Sequence, residues 1–191
     1  FLALGVIAGI LIGTYGGSSI TKSVDDKSIA VLPFDNFSKS EDDEYFTDGI
    51  TEDITMNLAK IKDLTVISRT SVMGYKNSTK KMKIIADELG VKYILEGSVR
   101  KLGNRVRIVG QLIDAKSDKH VWSDSYDRDM NDLFQIQADV SKEIANAMQA
   151  ELSDQTIAQI ETVPTDNMEA YELFKKARTY QYRSFRETDF N

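Results

Sequence analysis

The run Ser28-Ile29-Ala30-Val31-Leu32-Pro33-Phe34 is short and almost wholly apolar, which is how a strand buried on both faces reads. Downstream of it, Thr47 or Asp48 is positioned to cap a helix whose Ile50, Ile54, Leu58 and Ile61 recur at helical spacing. Leu64-Thr65-Val66-Ile67-Ser68 is a second short strand. A second helix carries Ile84, Ile85, Ala86 and Leu89 and ends at Gly90. Tyr93 to Arg100 reads as a third strand, and right-handed crossovers make these three strands parallel. The pattern then changes. Leu102-Gly103-Asn104 is a turn between strands Tyr93–Lys101 and Arg105–Asp114, and Ser117-Asp118-Lys119 turns the chain into a strand from His120 to Tyr126. A closing helix from about Asp129 to Leu152 places Leu133, Ile136, Val140, Ile144 and Met148 on one face. The expected fold is α/β: a mixed five-stranded sheet, βαβαβ and then an antiparallel meander, with three helices over residues 27–152.

Composition narrows the chemistry. The 191 residues include no cysteine, one histidine (His120) and two prolines, with 30 acids against 24 bases. Absence of cysteine excludes a disulfide scaffold, a thiol nucleophile and a thiolate zinc site, and a single histidine leaves no imidazole pair for a metal. A net charge of −6 disfavours nucleic acid as the partner. No cofactor is expected. No phosphate-cradling glycine motif occurs, because Gly97, Gly103 and Gly110 are separated by strand sequence and suit turns or close packing.

The two ends differ from the body. Phe1 to Thr21 carries no charge and, as a helix, reaches about 32 Å, roughly one hydrocarbon core. It is read as a transmembrane helix whose beginning is cut away; the alternative is a secretory signal with small residues Gly16 to Ser19 before the cut. Gly5, Gly9 and Gly13 recur every four residues and form a candidate dimerisation stripe, giving a homodimer through the anchor. Residues 22–26 and 153–165 read as linkers. After Pro164 a helical stretch runs from Asp166 to Ser184, and a turn at Arg186–Asp189 leads toward a second helix. The chain is therefore expected to be an excerpt of a longer protein.

Several segments carry a family likeness. They are Ser28–Ser38, Asp43–Asp53 (DEYFTDGITED), Val66–Ser71, Glu88–Arg100 (ELGVKYILEGSVR), Gln111–Asp114 and His120–Arg128 (HVWSDSYDR). Together they resemble the TolB amino-terminal-like domain, related to the FlgO domain, that precedes tetratricopeptide repeats in many bacterial proteins. The likeness covers about Lys27 to Leu152. It implies a non-catalytic α/β module, often outside the inner membrane, beside winged-helix transcription regulators, class III adenylate cyclases or kinases. Leu173–Tyr180 is similar to the first helix of a tetratricopeptide repeat, with Ala177 at the small position and Tyr180 three residues on. Lys176 departs from the apolar residue usual there, and residues 166–191 are read as an incomplete repeat.

Three clusters compete for a functional role. Glu41 to Asp53 holds seven acids in thirteen residues without a base, either a cation site or an acidic cap on the positive end of the first helix. Residues 60–107 hold twelve bases and four acids. Within them Lys80, Lys81, Lys83, Arg100, Lys101, Arg105 and Arg107 form a possible surface for an anionic partner, or a hairpin kept soluble by charge. His120, Trp122, Asp124 and Tyr126 alternate onto one expected face, where a His–Asp pair could act as a general base; ordinary strand alternation explains them as well.

The expected function is a sensor or protein-interaction module of a single-pass inner-membrane protein, its soluble domain periplasmic. Its protein partner would be met through the repeat region, without nucleic acid and without catalysis. The alternatives are the regulatory part of an adenylate cyclase or winged-helix regulator whose effector lies upstream, and a small-solute-binding domain with an apolar pocket and convergent polar groups.

Overall fold

The computed structural model describes residues 24–40 and 43–188, with side chains through 181. The expected anchor, including Gly5, Gly9 and Gly13, lies outside the described residues. Among those described, no helix is long and apolar enough to cross a membrane.

Strand β1 (Ser28–Val31) is buried along its whole length. It pairs in parallel with β3 (Thr65–Val66) on one side and β4 (Tyr93–Leu102) on the other, as the crossover rule requires. Strand β5 (Arg105–Asp114) and strand β6 (Lys119–Asp129) follow antiparallel, so the order is β3-β1-β4-β5-β6. A short extra strand, β2 (Asp35–Asn36), pairs in parallel with Ser98 and Val99 of β4. The apolar run is thus split at Pro33. Proline has no N–H to give the ladder, so the chain bonds to β4 at Leu32, leaves it, and returns where Phe37 N–H meets the Val99 carbonyl at 2.8 Å.

Alternate side chains of β1 enter two separate cores. Ile29 and Val31 join the larger one beneath helices α1 (Glu44–Ala59) and α4 (Leu133–Ala147). Ala30 and Leu32 face the opposite layer, where α2 (Arg69–Val72, prolonged by a 3-10 turn to Tyr75) and α3 (Met82–Leu89) pack. Gly90 ends α3 in the left-handed region with φ 69°, and Val91 N–H reaches back to the Ala86 carbonyl, a glycine C-terminal cap. Gly97 is held small for another reason. A Cβ there would overlap the Val109 carbonyl and stand 2.7 and 2.8 Å from ring carbons of Phe34.

Residues 27–152 hold four α-helices rather than the three expected, α2 being the addition, and helix boundaries depart from expectation as well. α1 begins at Glu44 rather than at a Thr47 or Asp48 cap, because those two residues are buried inside its second turn. The closing helix is shorter than residues 129–152. β6 runs on to Asp129, and α4 ends where Gln149 adopts φ 54° and Ala150 N–H bonds back to the Ala145 carbonyl. The expected linker at 153–165 contains helix α5 (Asp154–Ile160), capped by the Ser153 side chain and anchored by buried Ile160. Helix α6 (Met168–Thr188) then lies against α1 and continues through Arg186 and Glu187, where a turn was expected.

Candidate functional site

The seam between α1 and α6 gathers buried charges of opposite sign. On α6, Met168, Tyr171, Lys175 and Arg178 recur at helical spacing and turn inward; Tyr171 is 5% and Lys175 4% exposed. On α1 the matching face is Gly49, Glu52 and Asp53. The aliphatic stem of Lys175 lies over Gly49, where an added Cβ would stand 2.9 Å from the lysine Cδ and 3.0 Å from its Cγ. Its ammonium donates to Asp53 and stands 3.7 Å from Glu52. Arg178 completes the set at 2.8 Å from Glu52.

Neutral donors fill the remaining valences. Tyr171 donates to Asp53 at 2.6 Å, and Gln137 of α4 reaches the same carboxylate at 3.2 Å. Burial and the neighbouring Asp53 push the Tyr171 hydroxyl well above its ordinary value, so it stays a donor. Its ring meets Phe134 edge to face at 5.1 Å. A second ion pair stands farther along the seam, where Lys101 of β4 contacts Glu172 at 2.6 Å. A buried charge is tolerated only when paired and hydrogen-bonded, and Lys175 is both.

The acids of α1 therefore act differently from a helix cap. Glu44 stands in the first turn, but Asp48 is held by Lys76 at 2.9 Å, with Arg69 at 3.9 Å, and Glu52 and Asp53 receive α6. Glu44 also pairs with Lys76. Asp43 at the helix start makes no side-chain cap bond. Glu41 and Asp42 lie outside the described residues. Among those described, no cluster of His, Cys, Asp and Glu is arranged to hold a metal ion.

The basic residues are spread over separate places. Lys80 pairs with Glu88 at 2.7 Å, Arg105 with Asp127 at 2.5 Å, and Arg100 donates to the Phe37 carbonyl at 3.2 Å. Arg100 and Arg107 are direct cross-strand partners on one face of the sheet, while Lys101 turns to the other and meets α6. Lys81 and Lys83 are exposed at the start of α3.

His120 leaves the face on which it was expected. A bulge lets Leu112 pair with Trp122 but Ile113 with His120, so the histidine stands on the opposite face from Trp122, Asp124 and Tyr126. The candidate His–Asp pair is split across the sheet. Trp122 instead lies over Gly110 and donates to Glu143 of α4 at 2.7 Å.

Residues 25–147 match the model of the HilA/YgeH-like transcriptional regulator, second domain, over more than half of the chain. The chain belongs to that family. The chain is also 44% identical over 151 residues to a Rhizobium meliloti (strain 1021) protein named "Putative adenylate cyclase 3"; the match takes in 79% of the present chain and 26% of the relative. The chain thus spans about a quarter of that protein. Among solved structures, lipoprotein GNA1162 from Neisseria meningitidis is similar with TM-score 0.49 at 20% identity, covering 63% of this chain and 97% of its own. TolB from Acinetobacter baumannii follows with 0.48 at 16%, covering 63% and 28%, and the LpoB C-terminal domain from Salmonella enterica with 0.45 at 18%, covering 57% and 87%.

Sequence reasoning missed Lys175 and the seam it closes. The signal was present as acids at positions 52 and 53 and bases at 175, 176 and 178, but only a helix-on-helix register pairs residues more than 120 positions apart.

Proposed function

We propose that the chain is the non-catalytic sensor and protein-interaction module of a bacterial membrane-anchored signalling or scaffold protein, and that α6 opens a tetratricopeptide-repeat region. One observation carries this reading. Helix α6 is fastened to the α/β body through buried Lys175, while its other side exposes Leu173, Phe174 and Tyr180, at 61%, 57% and 59%. A rigidly held helix with an open apolar stripe is suited to receive a second helix or a protein partner. Membership in a domain family of transcriptional regulators supports a multidomain signalling context. In this reading residues 1–21 are the single-pass inner-membrane anchor, paired through Gly5, Gly9 and Gly13, and the α/β domain is periplasmic. Exposed Lys81, Lys83 and Arg107 would offer charge to an anionic partner.

A second reading is favoured by the 44% identical relative: the same module regulating an adenylate cyclase domain elsewhere in the protein. It assigns no chemistry to the residues of this chain.

Photo-crosslinking in the native cell tests the proposal. A benzophenone side chain at position 173, 174 or 180 should give discrete protein adducts, and the same group at exposed Lys116 should give none. Equal yields at all four positions would overturn the reading. So would turnover of ATP by the purified chain.

A further inference from the structure

The face of the sheet away from α1 and α4 is only partly covered by α2 and α3, and a groove of about 350 Å³ opens over β4 and β5 beside them. That volume lies at the lower end of small-molecule sites. Glu96 of β4 stands in its floor, half-buried, with Val109 beside it and Phe37, Tyr75 and Met82 around it. Glu96 is the unusual member. Every carboxylate in the α1–α6 seam forms an ion pair, whereas Glu96 forms none among the described residues: it lies across the ladder from Gln111, and Asn77, Ser78, Ser98 and a second acid, Asp35, line the groove with the apolar side chains. Lys76, on the loop beside the groove, is already engaged by Glu44 and Asp48.

The groove is also preformed. Phe37 is 57% exposed, yet its backbone is fixed on both sides, its N–H to the Val99 carbonyl and its carbonyl to Arg100. Tyr75 is held by a 2.7 Å hydrogen bond from its hydroxyl to Glu88. Aromatic and thioether side chains beside the Glu96 and Asp35 carboxylates have the composition of a site for a positively charged, partly apolar ligand. A backbone fixed at Phe37 and a hydroxyl fixed at Tyr75 reduce the ordering cost of binding.

We propose that this groove binds a small organic cation, its amine on the Glu96 carboxylate and its apolar body between Phe37, Tyr75 and Met82. Burial pushes the Glu96 carboxyl above its ordinary value, and Asp35 and Asp118 push the same way while His120 opposes them. A bound ammonium would reverse that penalty, which is the energetic reason for this ligand class. The site is distinct from the α6 stripe, and its occupancy does not depend on the interaction reading.

The test titrates the full chain with 2-phenylethylamine and with the neutral 2-phenylethanol, followed by amide shifts. The amine should saturate shifts at β4, β5 and the 75–78 loop, and bind about tenfold more tightly than the alcohol, as a charge-assisted hydrogen bond would give. Glu96→Gln should erase that preference, and Phe37→Ala should weaken both probes; unchanged melting would show that each variant is folded. Equal affinity for amine and alcohol in the wild type would overturn the proposal. So would a preference that survives Glu96→Gln, or no saturable shift at the groove up to the probes' solubility.

Discussion

Replacing Lys175 by alanine should loosen α6 from the domain. The lysine side chain is 5% exposed and faces Glu52 and Asp53, themselves only 11% and 20% exposed. Removing one partner of a buried ion pair costs about 3–5 kcal/mol, because the other charge is left without compensation. Three contacts remain in the variant, one of them the Gln137 amide on Asp53 at 3.2 Å. Arg178 still reaches Glu52 at 2.8 Å and Tyr171 still donates to Asp53 at 2.6 Å, which places the expected loss at the lower bound, about 3 kcal/mol. Lys175→Met keeps the stem over Gly49 but not the charge, so it should lose nearly as much. Adding Asp53→Asn to it should recover part of the loss by neutralising the stranded carboxylate. Urea unfolding gives the total, and amide hydrogen exchange shows whether α6 opens before the rest. A loss below about 0.5 kcal/mol with unchanged α6 protection would be the size of a surface pair and would refute the buried-clamp account.

Two further outcomes concern the body. Gly97→Ala should cost at least about 1–3 kcal/mol, the usual range for overpacking, because the new methyl group meets a backbone carbonyl as well as the Phe34 ring; a neutral melting temperature would mean the strand pair is looser than described. Asp63 receives Lys27 at 2.5 Å and the Glu151 amide at 2.9 Å, and these bonds hold its carboxyl below the ordinary value of 3.8. A lowered carboxyl stabilises the fold above its unfolded value, and that contribution disappears as pH falls through the folded one. Asp63→Asn should thus be less stable than wild type at neutral pH, with the gap closing below about pH 4; a gap independent of pH would sever the link.

The α/β fold was legible from residue patterns because its elements are short in range. The apolar run at 28–34, the helical spacing of Ile50, Ile54 and Leu58, Gly90 as a helix stop and Gly103 as a turn each report a local preference of the backbone. The parallel-then-antiparallel order followed from crossover handedness and hairpin length. Other features had no local signature. A bulge of one residue at Leu112/Ile113 moved His120 to the far face, and strand alternation alone cannot anticipate a register shift. The split of the first strand at Pro33 needed a second pairing site on β4, at Ser98 and Val99. Most of all, the acids of α1 look like a solvated cap until α6 covers them. Whether Glu52 and Asp53 face water or Lys175 is set by the docking of two helices far apart in sequence, since the strength of a charge pair depends on the dielectric around it, and burial exists only in the folded chain.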